Sequence, residues 1–92
     1  MQKKGPRLWD KKWRVIIFDI PEKRRSIRDK FRMMLRELGY YRLQDSVWIF
    51  PYSTEELVSS MKRELGESGT ILHLLVEKTD DAEELEKFFK LK

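Results

Sequence analysis

Trp13-Arg-Val-Ile-Ile-Phe-Asp19-Ile-Pro-Glu-Lys-Arg-Arg25 is the stretch that decides the fold. Residues 13–20 hold few polar positions, which suits a strand buried on both faces in the middle of a sheet. Pro21 halts the strand and is tolerated at the first position of a helix. Residues 22–38 then form a helix, with Ile27, Phe31, Met34, Leu35 and Leu38 recurring at helical spacing and Gly39 as its C-terminal cap. An apolar strand therefore ends in one acidic residue, Asp19, and a strongly basic helix follows.

Working outward, Tyr40 to Pro51 is rich in β-formers, with Gln44-Asp45-Ser46 as the break between two short strands. Ser53-Thr-Glu-Glu56 has the pattern of a capping box, opening a helix with Leu57, Val58, Met61 and Leu65 inward. Residues 66–69 are a loop, and residues 70–77 a fourth strand, apolar at nearly every position except His73. Asp80 or Asp81 caps a last short helix whose apolar side is Leu85, Phe88 and Phe89. The order βαββαβ is the ferredoxin-like arrangement, an α+β fold extended here by a short C-terminal helix. One domain is expected over residues 13–92, preceded by a polar, basic and mobile lead-in over residues 1–12.

Ninety-two residues allow one small core, marginal unless oligomerisation adds buried surface. Without cysteine there is no disulfide framework, thiolate metal site or thiol nucleophile. The apolar runs are short and flanked by charge, so no membrane partner is expected. The basic N-terminus lacks the apolar stretch of a secretory signal, and a soluble cytoplasmic protein is the expectation. The net charge of +4 conceals a polarity: residues 1–36 hold 13 of the 20 Lys and Arg but 4 of the 16 acidic residues, a net of +9, and the remainder carries −5. A positive surface organised in this way points to an anionic partner, duplex DNA or RNA above all.

At about 100° per residue, Arg25, Arg28, Arg32 and Arg36 fall together on the first helix, opposite the Ile27/Phe31/Leu35 stripe. Guanidinium groups in a row follow a phosphate backbone without reading bases. Lys23 and Arg24 extend the row, and Asp29 shares that face, where it pairs with Arg25 or Arg32. Asp19 has two readings. It caps the helix beside it, the commonest use of Asp at such a boundary. Alternatively it is an outer ligand of magnesium held against a nucleic-acid backbone, with Glu22 as a weak second ligand. One Asp per chain is a poor metal site, so the second reading requires a homodimer that brings two together.

Other chemistry is thin. His73 is the one histidine, with no Ser or Asp at triad spacing, and is expected to be structural. Among the aromatic residues, Trp9 and Tyr41 are the ones expected to be exposed and able to stack on bases. Leu85, Phe88 and Phe89 are candidates to close over a partner's sheet in the dimer.

Val15 to Arg25, Leu38-Gly39-Tyr40 and Arg42-Leu-Gln44-Asp-Ser46-Val47-Trp48 together resemble the CRISPR-associated Cas-two superfamily over about residues 13–78. The shared pattern is a strand ending in Asp, a basic helix, a Gly-aromatic turn, and Arg-x-Gln-x-Ser-Val before an aromatic residue. One branch of that superfamily implies a homodimer that bridges the CRISPR integrase during spacer acquisition, part of antiviral defence, and binds duplex DNA. Several of its members are assigned magnesium-dependent endonuclease activity with the metal on the residue matching Asp19, so the resemblance implies Asp19 as metal ligand and catalytic residue of phosphodiester hydrolysis. The other branch is the Cas-two-like domain of the phenylacetate-degradation repressor PaaX, which follows a winged helix and supports dimerisation. Trp9-Asp10-Lys-Lys-Trp13 before the first strand and Trp48-Ile-Phe-Pro51 are more similar to the PaaX branch. Ninety-two residues leave no room for a winged helix, so the chain is expected either to stand alone on this scaffold or to be a fragment of a longer regulator.

Overall fold

The computed structural model describes residues 8–91. The first strand, β1 (Trp13–Asp19), leads through a 3₁₀ turn (Glu22–Arg24) into α1 (Arg25–Leu38). The hairpin β2 (Tyr41–Gln44) and β3 (Val47–Phe50) follows, then α2 (Glu55–Leu65), β4 (Thr70–Val76) and α3 (Ala82–Phe89). The four strands form one antiparallel sheet in the order β2-β3-β1-β4, so β1 sits inside the sheet as its apolar sequence requires. This is the ferredoxin-like βαββαβ fold with a short C-terminal helix. No helix among the described residues is long and apolar enough to cross a membrane.

Pleat alternation splits the core in two. Ile16, Phe18 and Ile20 face α1 and α2 and pack with Phe31, Leu35, Trp48, Val58, Met61, Leu65 and Ile71. Trp13 and Val15 face the other way and pack with Ile49 and Leu85 under α3. Leu85 is thus buried against its own sheet, and Phe89 lies 6.0 Å from Trp13 and 5.8 Å from Phe50 between ring centroids. The expectation that Leu85 and Phe89 reach over a partner's sheet is corrected: the large apolar surface of Trp13 and Ile49 takes them up within the chain. Phe88 remains exposed, edge-on to Tyr41.

The helix ends follow the sequence in part. Gly39 takes the left-handed conformation at φ 103° and returns its N–H to α1, as a glycine cap should. The capping box expected at Ser53 does not form: Thr54 is the N-cap of α2, and its hydroxyl is engaged by the buried Tyr40 hydroxyl instead. Asp81 holds the N-cap position of α3 without a side-chain cap bond. Of the lead-in expected over residues 1–12, residues 1–7 lie outside the described residues. Trp9 rests 4.8 Å from Trp13 and donates its indole N–H to the Lys12 carbonyl at 2.9 Å. Half-buried there, Trp9 is not the exposed stacking residue its context suggested.

Candidate nucleic-acid interface

α1 carries the basic surface, and the sheet decides how its arginines lie. Phe31 and Leu35 are fully buried beneath it. Arg28 and Arg32 each follow a core-facing residue, Ile27 and Phe31, and so stand about 100° round the helix from the core stripe. Their side chains are 22% and 23% exposed. They flank the core stripe, which corrects the expectation that they stand opposite it. Arg25 and Arg36 are the exposed members.

The row is internally paired. Glu22 accepts from Arg25 at 3.1 Å and from Arg28 at 3.3 Å. Asp29 lies 3.7 Å from Arg32 and 3.9 Å from Arg28. Exposed pairs of this kind contribute about 0–1 kcal/mol each, so they organise the arginines without holding them firmly. The Nε atoms of Arg28 and Arg32 are enclosed and have no hydrogen-bond partner among the described residues. Lys30 is committed elsewhere, bridging α1 to Glu64 of α2 at 2.7 Å. Lys23 is exposed and Arg24 half-buried in the 3₁₀ turn that begins the row.

One basic contributor, Arg42, escaped the sequence reading. Arg42 of β2 and Arg36 of α1 each place a guanidinium 5.8 Å from the ring centre of Trp48, itself 1% exposed. The positive surface therefore continues from α1 onto the hairpin, where Asp45 pairs with Arg42. The signal was available: Arg42 stands opposite Trp48 in the β2–β3 register, so both point to the α1 side.

Asp19 stands apart from this surface. Alternation along β1 groups it with Val15 and Ile17, on the face opposite α1, and its register partner is Thr70. It is exposed, and it makes no side-chain hydrogen bond or ion pair among the described residues. The capping role has no bond to support it: Pro21 and Arg24 hold the N-cap positions, neither with a side-chain cap. Glu22, its expected second carboxylate, is taken by Arg25 and Arg28. No group of three His, Cys, Asp or Glu side chains comes together among the described residues. Among the described residues, Asp19 therefore has no free carboxylate beside it to share a magnesium ion.

His73 faces α2 and lines a cleft of about 240 Å³ with Arg14, Ser53, Glu55, Leu74 and Leu75. Burial holds its imidazole below the ordinary value of 6.5; nearby Glu55 acts the other way, and Lys62 and Arg14 reinforce the burial. Its Nε2 is enclosed and has no hydrogen-bond partner among the described residues.

The fold class is that of a small ferredoxin-like domain whose first helix and hairpin present one basic surface. This chain belongs to the family described as the PaaX protein central Cas2-like domain, whose family model matches residues 6–88. The match includes Trp9 and its contact with Trp13, upstream of the first strand. No curated protein matches the chain.

Proposed function

We propose that this chain is a non-enzymatic, dimer-forming module of a PaaX-like regulator that binds duplex nucleic acid through α1 and the β2–β3 hairpin. The observation that carries the reading is the row Arg25, Arg28, Arg32 and Arg36 on α1, continued by Arg42 on β2, an arrangement suited to phosphate contact. The family match to the PaaX branch supports the regulatory setting. A second copy has an uncovered strip to meet: Leu72 and Leu74 are exposed on β4 beside Ile17, on the part of the sheet that α3 leaves open.

One observation favours a second reading, a Cas2-like endonuclease of CRISPR spacer acquisition. Asp19 is exposed, unpaired and on the same sheet face as that strip, where a dimer would bring two such carboxylates near each other. The two readings part on cleavage of labelled duplex DNA and single-stranded RNA, with magnesium or EDTA, by the wild type and Asp19→Asn. Binding without cleavage is the expected result. Metal-dependent cutting that the substitution removes would make this a nuclease.

A further inference from the structure

Glu22 and Asp29 sit among the arginines of α1. Each carboxylate faces two arginines, Glu22 facing Arg25 and Arg28, and Asp29 facing Arg28 and Arg32. Yet the pairing is incomplete. The enclosed Nε donors of Arg28 and Arg32 have no acceptor, and Asp29 Oδ1 is too far from Arg28 Nε, at 3.9 Å, to supply one. Enclosed donors are rarely left open in a finished network. Two acidic groups thus occupy the arginines and leave them short of acceptors.

We infer that Glu22 and Asp29 are internal competitors that set the ligand class of this surface: they exclude single phosphates and yield to a chain of closely spaced ones. This rests on the nucleic-acid reading above and adds the discrimination to it. A lone phosphate reaching Arg28 must displace both carboxylates for one gain. A backbone meets several arginines at once, so each displaced carboxylate is offset along its length. The geometry suits such a ligand, because Arg25 to Arg36 spans about 16 Å of helix, the axial length of roughly five phosphates on one strand. An acceptor oxygen arriving at Arg28 or Arg32 takes over the Nη donors that Glu22 and Asp29 release. Glu22 and Asp29 are positioning residues here, acting through the arginines.

The test compares duplex DNA binding by the full chain carrying Glu22→Gln and Asp29→Asn with the wild type and Glu83→Gln, an exposed carboxylate on α3 with the same charge change per site. The double variant is expected to bind about ten-fold tighter, with a salt dependence steeper by about one to two units on a log–log plot. Glu83→Gln is expected to change affinity less than about two-fold, its charge being screened at that distance. At matched ionic strength, inorganic phosphate is expected to compete no better than chloride against the wild type, and clearly better against the double variant. A double variant that binds no tighter than Glu83→Gln overturns the inference. If Arg28→Ala with Arg32→Ala leaves duplex binding intact, the proposed function falls as well; if it weakens binding while the carboxylate variant gains nothing, this inference alone falls.

Discussion

The two ends of β1 carry one charged residue each and treat it in opposite ways. At the start, Arg14 is 14% exposed and donates to the Lys12 carbonyl at 3.0 Å, the Pro51 carbonyl at 2.8 Å and both oxygens of Asp10. That fork ties the approach to β1 to the exit from β3. At the finish, Asp19 is exposed and without a partner among the described residues. A charge whose bonds are all made within the chain is part of the fold. A charge that the fold positions and leaves open is available to a ligand or a second copy. The arginines of α1 fall between the two, held by weak pairs and still short of acceptors.

The first way to break this contrast is at the built end. Trp13→Ala removes the residue on which Trp9, Leu85 and Phe89 converge, and a loss of about 3–5 kcal/mol in denaturant unfolding is expected. Arg14→Ala leaves two partly buried carbonyls without their donor, with an expected loss of about 2 kcal/mol by the same measurement. A loss under about 0.5 kcal/mol would make Arg14 an ordinary surface residue.

Acid should act on the same end. His73 has its imidazole held low by burial, so the unfolded chain takes up the proton first. The stability it contributes is fully present above about pH 6.5 and is lost as the pH falls through the lower folded value. Asp10 behaves alike further down: hydrogen bonding from Arg14 lowers its carboxyl from 3.8 to about 2, so its share is present above 3.8 and lost toward 2. His73→Gln should flatten the fall in melting temperature between neutral and mildly acid pH, and an unchanged fall would assign it to other groups. The smallest effect belongs to the open end. Asp19→Asn should shift stability by less than about 0.5 kcal/mol, and a larger loss would show that the carboxylate serves the fold after all.

Much of this was legible in the sequence, for reasons that differ by element. The apolar run of β1, the stripe Ile27/Phe31/Leu35 and the glycine after α1 each follow from a local rule, and each lies where that rule puts it. What escaped was decided by packing between distant segments. Periodicity places Arg28 and Arg32 on one side of α1, but their depth depends on how the helix seats over the sheet. Likewise α3 has an apolar side whether it covers its own sheet or another, and Trp13 with Ile49 resolves the choice. Thr54 took the N-cap position expected of Ser53, and its hydroxyl is engaged by a tyrosine fourteen residues away, a partner no local pattern names. At the candidate site, the arginines were visible as a row, and their carboxylate partners only partly so. The meeting of Arg36 and Arg42 at Trp48 needed the hairpin register.

The most direct test of the central claim is the salt dependence of duplex DNA binding, measured by anisotropy for the wild type and for Arg28→Ala with Arg32→Ala. If α1 contacts the phosphate backbone, the double variant binds more weakly and its log–log slope falls by about two units, independently of DNA sequence. An unchanged slope, or strong discrimination between sequences, would contradict the account and remove α1 from the interface.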